Sequence, residues 1–517
     1  MFVRNADQSP FTTRSYELNT RTPLLTDNAV IQRCSPLPIA GHAECGSTIA
    51  VTFLGNTWTT RADENGEWQV DIGPLESGGP DTFTIQAGQD EQQFCNVVVG
   101  DVWVCSGQSN MEMALRGAEN GEEDSARAAD PGLRLLAIPN RVSSEPVTDI
   151  GQAAWHECTP ETVIDFSGLA YYTAKALRKA SDVPIGLVLA ARGETPGEAW
   201  VPMEALESEV VFSPILERWR KCFNEFPDHE GKYEKAFVQW DHDADLAERE
   251  GRPIPGPHPK MVGPDSHWTP AGLFNGMIAP LTSTPVKGIL WYQGAGAPER
   301  AFQYRTLFRR LIQSWRKAWQ RSDLPFIYGQ EANFGPRRDS PSEHSWAELR
   351  EAQFMGQSEP NTAMAVAIDL GEEKNIHPIR KAPLGERLAL AARKIAYGED
   401  TPYSGPTYKS MSVEGDTARI QFDHTYDGLK TSDGRPLIGF AISAGCTDFS
   451  KGNRGFVWAD ARIDGNDISV RADSVAIPVA VRYAWAQNPD CNLVNSEGLP
   501  AVPFRTDDWP GVTVECL

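Results

Sequence analysis

The chain has 517 residues, 40% of them hydrophobic and 23% charged, which is enough material for two to four globular domains. Its formal net charge of −22 disfavours nucleic acid and anionic membranes as partners, because both bind basic surfaces. It also contains no run of about eighteen apolar residues, the length that would span a bilayer.

The first residues, "MFVRNADQSPFTTRSYELN", lack the apolar core of a signal peptide. Nine cysteines are scattered without CxxC spacing, and no Asn-x-Ser/Thr sequon occurs. These features favour free thiols and, if the sequence is complete, a cytoplasmic location. A periplasmic or secreted protein that has lost its signal peptide would show the same features.

From about residue 20 to 98, short β-rich runs alternate with Gly, Asn and Pro clusters. This spacing predicts an antiparallel β unit, which we place in an N-terminal β domain at 1–98. Its last run continues into the next region without a linker, so we expect the β unit to pack on the domain that begins at 99. The predicted strands lie at 48–54, 57–63, 67–73, 81–88 and 93–105.

Between 99 and 400, continuous apolar runs of strand length alternate with amphipathic helices. This alternation predicts an α/β domain with a parallel sheet covered on both faces. The polar, Pro-rich region at about 205–265 is interpreted as a helical insertion with a loop at its end. The apolar runs lie at 101–105, 184–191, 286–294, 324–332 and 362–369, and the helices at 168–180, 304–319, 345–355 and 382–398.

The last part of the chain, 401–517, returns to β-like runs separated by turn residues. We therefore predict a C-terminal β domain over this range. Its predicted strands lie at 417–423, 438–444, 467–473 and 480–486.

Ligands bind at the carboxyl ends of the strands in an open parallel sheet. Ser109 comes after the first apolar run, Gly193 after the second, Gln293 after the third and His377 after the fifth. Acyl transfer needs this set, since a histidine removes the serine proton and donors stabilise the oxyanion. Each residue alone has a structural explanation: a serine at a strand end is more often a helix cap than a nucleophile. On spacing alone, both interpretations stay open.

The segment "DVWVCSGQSNMEM" at 101–113 strongly resembles the first block of the sialate O-acetylesterase family, in the SGNH-hydrolase superfamily. "GQSNM" is not the GxSxG elbow of α/β-hydrolases. The resemblance covers most of the chain outside 205–265. The other similar segments, in family order, are 24–41, 183–200, 270–281, 288–294, 345–353, 375–398 and 478–493.

The resemblance implies a three-layer α/β/α sandwich with a parallel sheet, flanked by the N- and C-terminal β domains. It places the nucleophile on Ser109, the base on His377, and the oxyanion hole on the backbone N–H groups of Ser109 and Gly193 and the side chain of Gln293. The implied reaction is hydrolysis of O-acetyl esters on a glycan through an acetyl-enzyme, without a metal or other cofactor. Sialic acid and other acetylated sugars are both candidate substrates.

The third block departs from the family pattern. Relatives carry "WYQGESN" where this chain reads "WYQGAGA", so Ala295 and Ala297 replace a Glu and an Asn. If either lost group is an oxyanion donor, the cost is about 3–4 kcal/mol of barrier. Gln293 remains as a donor.

The histidine block departs as well. Asn375 stands where many relatives carry Asp, and Lys374 stands where other superfamily members keep the orienting Asp. We expect Asn375, Glu372 or a backbone carbonyl to hold the imidazole tautomer instead. Asp369, at the end of the strand, is interpreted as structural.

The second block reads "ARGET" where an aromatic residue followed by Gly-Gly is usual. Arg192 is therefore a candidate either for reshaping the pocket or for binding an acidic sugar. Purely structural roles are the alternatives for the further candidates: helix capping for Asn110, a place in a basic loop for Arg338 and burial in the core for the tryptophans. Other candidates for sugar contacts are Gln108, Asn110, Arg338, Trp200, Trp268 and Trp291.

Two rival functions remain on sequence grounds. The lost polar groups in the third and histidine blocks would also fit a carbohydrate-binding protein that keeps an esterase scaffold but has weakened catalysis. The second rival is an acetylxylan-type esterase or a transferase that acts on a different acyl sugar.

Overall fold

The computed structural model describes residues 18–249, 263–294, 296, 298–445 and 454–516. Ala295 and Ala297, which depart from the family pattern in the third block, lie outside the described residues. The predicted loop of the insertion, from 250 to 262, also lies outside them. No helix in the described part of the chain combines the length and apolarity that a bilayer crossing requires. The eight cysteines within these ranges are free thiols, as the sequence predicts.

An N-terminal group of mostly antiparallel strands leads into the largest sheet. The strands of this region are β1 (Asn19–Thr20), β2 (Val30–Gln32), β3 (Leu37–His42), β4 (Thr48–Phe53), β5 (Asn56–Arg61), β6 (Glu67–Ile72), β7 (Gly78–Ala87) and β8 (Asp90–Gly107). β3 pairs with β6, β4 pairs with β5 and β7, and β7 pairs with β8, all antiparallel, whereas β2 runs parallel to β8.

The long strand β8 belongs to both parts of the molecule. Its first half pairs with β7, and its second half lies between two parallel neighbours of the central sheet. The predicted domain boundary at 98 therefore falls inside a continuous strand. The N-terminal β unit packs directly on the central sheet because the two share this strand.

The central sheet has the order β10-β9-β11-β8-β12-β13-β14, and all neighbours except β10 and β9 run parallel. The sequence pattern missed β9, because the charged Arg134 interrupts its apolar run; this side chain is only 1% exposed and donates to Glu157. The strands are β9 (Asp130–Ala137), β10 (His156–Cys158), β11 (Ile185–Ala191), β12 (Gly288–Tyr292), β13 (Phe326–Gly329) and β14 (Thr362–Ala365).

Helices cover both faces of this sheet. Along β8, Val102 and Val104 join the hydrophobic cluster that includes α7, whereas Trp103 and Cys105 join the cluster that includes α4 and α9. This alternation explains why the strands read as continuous apolar runs. The helices are α1 (Ser109–Glu112), α2 (Gly121–Ser125), α3 (Pro160–Val163), α4 (Gly168–Ala180), α5 (Met203–Glu207), α6 (Ser213–Arg249), α7 (Ala301–Ala318), α8 (Ser345–Met355) and α9 (Lys381–Tyr397).

The region after 203 is helical, as predicted for the insertion. It contains α5, a short turn of 3₁₀ helix at Val210–Phe212, and the long helix α6. Within the described residues it contributes no strand to the sheet. The remaining short helical turns are Leu115–Gly117, Gly197–Trp200, Phe274–Ile278, Ala279–Leu281, Pro298–Arg300 and Gly356–Ser358.

The C-terminal region forms three small antiparallel sheets, of order β15-β16-β21-β20, β17-β23 and β19-β18-β22-β24. Their strands are β15 (Thr407–Glu414), β16 (Thr417–Asp423), β17 (Leu429–Thr431), β18 (Phe440–Ser443), β19 (Val457–Trp458), β20 (Asp460–Asp464), β21 (Asp467–Arg471), β22 (Ala480–Tyr483), β23 (Leu493–Asn495) and β24 (Phe504–Arg505).

A buried arginine is one of the side chains that connect the C-terminal region to the loop after β13. Arg350 is 0% exposed and donates to the carbonyl oxygens of Glu331 and Ala332 after β13, at 2.9 and 2.8 Å. It also donates to the carbonyls of Ala486 and Gln487, at 2.7 and 2.8 Å. Burial lowers its pKa to about 10, so the guanidinium is still charged at neutral pH.

We expect Arg350→Met to lower the free energy of unfolding by at least about 3 kcal/mol, because several buried carbonyls lose their donors. Thermal unfolding monitored by circular dichroism measures the change. Arg435→Met is the control, since this arginine is 65% exposed and pairs with Asp433 on the surface. An unfolding temperature for Arg350→Met equal to that of the control would contradict this role.

Candidate active site

The end of β8 places Ser109 at the carboxyl edge of the sheet. Gly107 has φ 133°, and a Cβ there would lie 2.1 Å from the carbonyl oxygen of Tyr292, so only glycine fits. The Gln108 N–H donates to the same carbonyl at 3.0 Å. Ser109 then opens α1, and the first N–H groups of a helical turn have no intrahelical partner. The Ser109 N–H is thus positioned as a donor beside its own hydroxyl.

The structure brings Ser109 and His377 into contact: the serine Oγ lies 2.7 Å from the histidine Nε2. His377 stands on the loop between β14 and α9 and is half-buried. The predicted orienting side chains bond elsewhere. Asn375 Oδ1 accepts from the backbone N–H of His377 at 2.9 Å, and Glu372 Oε1 accepts from that of Ile379 at 3.1 Å. These two residues shape the loop, and the prediction that either holds the ring is corrected.

The acid whose charge acts on the His377 ring is Glu194. The pKa of His377 is lowered, first by burial and then by the positive charge of Lys381, while Glu194 opposes both effects. Glu194 replaces the second glycine that is usual in the second block. It keeps the left-handed conformation, φ 57°, that suits a glycine there, so this departure from the family pattern pointed to the residue. Asp369 forms a bidentate ion pair with Arg387, with both contacts at 2.7 Å, in line with a structural role.

Asn110 links the serine turn to the histidine loop. Its Nδ2 donates to the carbonyl of Ile376 at 3.2 Å, and its Oδ1 accepts from Lys381 Nζ at 2.6 Å. Asn110 and Lys381 are each 1% exposed, and the oxygen and one hydrogen of the Asn110 amide bond within the protein, so its contact with substrate stays a prediction. Burial lowers the pKa of Lys381 to about 7. Lys381 is a site residue that the sequence patterns did not reveal.

The backbone N–H of Gly193 is occupied. It donates to Glu112 Oε2 at 2.5 Å, so a carboxylate sits on a predicted oxyanion donor. A Cβ on Gly193 would lie 3.0 Å from that oxygen and 3.3 Å from Ser109 Cβ, so the glycine allows close approach to the serine. Glu112, at the end of the "GQSNME" segment, is a second residue that the sequence patterns did not reveal.

The two candidate glutamines, Gln293 and Gln108, are both buried. Gln293 is 1% exposed; its Nε2 donates to the Thr195 carbonyl at 3.1 Å, and its Oε1 accepts from Tyr304 at 2.7 Å. One hydrogen of this amide is therefore used within the protein, and its oxyanion role stays a prediction. Gln108 is 4% exposed, and its buried Oε1 has no hydrogen-bond partner among the described residues. That oxygen lies 3.3 Å from the place of a Cβ on Gly296.

Of the remaining candidates, Arg192 is half-buried beside Gly193, and its guanidinium forms no ion pair within the described ranges. Arg338 is exposed on the loop after β13. Trp200 and Trp291 are each 0% exposed and pack edge to face at 6.0 Å, so they belong to the core, and their prediction as sugar contacts is corrected. Trp268 is only partly buried.

Comparisons with known proteins show the family of this chain. Residues 265–394, which include His377, match the family described as "Carbohydrate esterase, sialic acid-specific acetylesterase". The chain is 27% identical to the sialate O-acetylesterase of Mus musculus over 547 aligned positions, covering 95% of both chains. It is 26% identical to that of Homo sapiens, covering 92% of this chain and 90% of the human one.

A solved structure gives a nearer match. The chain is similar to a carbohydrate acetylesterase from Xanthomonas citri with a TM-score of 0.79 and 35% identity, over 95% of this chain and 100% of that one. This agreement in sequence and structure extends over the central sheet and both flanking β regions. The chain belongs to the sialate O-acetylesterase family and is a carbohydrate esterase that hydrolyses O-acetyl esters on sugars.

Proposed function

We propose that the esterase works by a serine mechanism in which Ser109 is the nucleophile and His377 the general base. The observation that carries the proposal is the 2.7 Å contact between Ser109 Oγ and His377 Nε2. This distance allows direct proton transfer between the two side chains. No third side chain needs to move for the proton to pass.

The reaction then has two steps. Ser109 Oγ bonds to the acetyl carbon while its proton passes to His377 Nε2, and the imidazolium protonates the departing sugar oxygen. Water, deprotonated by the same nitrogen, then attacks the acetyl carbon. The bond from that carbon to Ser109 Oγ breaks, acetate leaves, and the imidazolium returns the proton to Oγ. Because Nε2 accepts the proton, the neutral ring carries its hydrogen on Nδ1. The negative charge of Glu194 favours the imidazolium that forms.

The oxyanion donors in this proposal are the backbone N–H groups of Ser109 and Gly193, with Gln293 as the side-chain candidate. A carboxylate beside a developing oxyanion raises its energy, so Glu112 must leave the Gly193 N–H before the acetyl carbonyl binds there. In the substrate-free protein, Glu112 thus satisfies a donor that the reaction needs.

We also propose that the central sheet is the three-layer α/β/α sandwich of SGNH hydrolases, with domains at 1–98, 99–400 and 401–517. The parallel strand order and the separate hydrophobic clusters on its two faces support this assignment. Arg192, beside Gly193, is proposed to contact the sugar that bears the ester. An acidic sugar such as sialic acid, which the names of the relatives mention, would pair with its guanidinium.

The second candidate function is a carbohydrate-binding protein with weakened catalysis. The observation that favours it is the Glu112 carboxylate on the Gly193 N–H, since a site that keeps this contact has a blocked oxyanion hole. Turnover kinetics separate the two candidates.

Ser109→Ala is expected to lower acetate release from p-nitrophenyl acetate and from acetylated sugars by at least about a thousandfold, because the covalent step is lost. Spectrophotometric assays of p-nitrophenol and of acetate measure the rate. Ser208→Ala is the control, since this exposed hydroxyl donates only to the Ala205 carbonyl. Hydrolysis that persists in Ser109→Ala would exclude this nucleophile. A wild type that binds sugars without turnover would favour the binding protein.

The pH profile of kcat/KM reports the base. His377 must be neutral to accept the proton, and its pKa lies below the usual 6.5, so activity should fall only below that pH. Lys381 contributes to the lowering, so Lys381→Met should move the acid limb to higher pH. Lys374→Met, which removes an exposed charge from the same loop, should leave the limb in place. An unmoved limb in Lys381→Met would contradict the assignment.

Glu112 and Gly193 share a hydrogen bond, and substitutions of the two residues are expected to change kcat/KM in opposite directions. Glu112→Ala should raise kcat/KM up to about tenfold, because substrate no longer displaces a charged hydrogen bond. Gly193→Ala should lower it, because its Cβ crowds Ser109. Glu123→Ala removes an exposed acid of α2 as the control. A folded Glu112→Ala variant that is slower than the control would show that Gly193 N–H is not an oxyanion donor.

A further inference from the structure

A groove of about 370 Å³ lies between the loop after β13 and the C-terminal region. The catalytic proposal does not use it. Charged and polar side chains line it together with apolar ones and one exposed tryptophan. The charged, amide and aromatic residues of this lining are Arg337, Arg338, Asp339, Trp458, Asn488 and Asp490.

The walls of this groove also hold the histidine loop. Asn333 donates to Asn488 Oδ1 at 2.8 Å and accepts from the backbone N–H of Gly371 at 2.7 Å. The Gly335 N–H donates to the carbonyl of Glu373 at 3.0 Å, only a few residues before His377. Chain length therefore limits the distance from His377 to the near end of the groove to roughly 25 Å. The groove lies along the same edge of the sheet as the esterase site.

Trp458 provides a fixed, accessible aromatic face in this groove. Its side chain is one of the large exposed hydrophobic groups, at 46% exposure. Its Nε1 donates to the carbonyl of Asp339 at 2.8 Å, which fixes the indole across the junction between β19 and the loop after β13. A ring held in this way binds without losing rotamer freedom, and it can stack on the C–H face of a pyranose.

The charges around the ring balance. Arg337 pairs with Asp490 at 3.2 Å, and both side chains are about half-exposed. Arg338 and Asp339 are also exposed and add one charge of each sign. A balanced set of donors and acceptors suits sugar hydroxyls, whereas a ligand with a net charge would need an excess of the opposite sign.

We propose that this groove is a glycan subsite, in which Trp458 stacks on a neutral pyranose of the same chain that presents its acetyl ester to Ser109. The proposal rests on the proposed function, and it makes the substrate an acetylated oligosaccharide or polysaccharide that occupies both sites. Arg338 and the Arg337–Asp490 pair bond the hydroxyls of the stacked sugar. A single acetylated sugar that binds its ester at Ser109 offers no second ring for Trp458.

The test compares substrates of different length. Trp458→Ala should lower kcat/KM about tenfold for a long, partially O-acetylated xylo-oligosaccharide, mainly through KM. The variant should hydrolyse O-acetylated xylose and p-nitrophenyl acetate at the wild-type rate, and Trp458→Phe should restore most of the loss. Ile477→Ala, which truncates a residue that is 69% exposed in the same C-terminal region, is the control.

An unchanged KM for the oligosaccharide in Trp458→Ala would overturn the subsite. Equal losses on all three substrates would also overturn it, because Trp458 would then act on the fold or on the ester site. Calorimetry with the deacetylated xylo-oligosaccharide separates this proposal from the catalytic one. Binding that is present in Ser109→Ala and lost in the Ser109→Ala/Trp458→Ala double variant supports the subsite even if Ser109 proves not to be the nucleophile.

Discussion

The contact between Ser109 Oγ and His377 Nε2 joins residues 268 positions apart in the chain, and it depends on the register of the parallel sheet. In that register Gly107, the last residue of β8, lies beside Ala191 and Tyr292, the last residues of β11 and β12. Three strands therefore end at one level. The serine turn, the Gly193 loop and the third block meet there because their strands end together.

Buried polar contacts connect the serine turn and the histidine loop at this edge of the sheet. Asn110 bonds the carbonyl of Ile376 and the ammonium of Lys381, which connects the serine turn to the histidine loop. A lysine that is 1% exposed is costly to bury charged, which is why its pKa falls to about 7. The positive charge of Lys381 also lowers the pKa of His377. The lysine that bonds the serine turn therefore also affects the protonation of the histidine.

Much of the fold was predictable from periodicity, since helices α4 and α8 have the bounds that their apolar spacing predicts. β9 was missed because its buried Arg134 breaks the apolar run, and a sequence does not show that Glu157 will neutralise it. The pairing of Ser109 with His377 was predicted from the family resemblance, whereas the spacing of the strand ends alone left it open. The contacts of Glu112, Glu194 and Lys381 were not predictable, since each depends on where a loop folds back.

The serine mechanism requires one covalent intermediate. Wild-type protein mixed with p-nitrophenyl acetate, quenched in acid within the first turnover and digested, can be examined by mass spectrometry for an acetylated peptide. The serine mechanism predicts one acetyl group, on Ser109, that disappears as free acetate accumulates. Steady turnover with no acetylated serine at that position, or with the acetyl group on another residue, would contradict it.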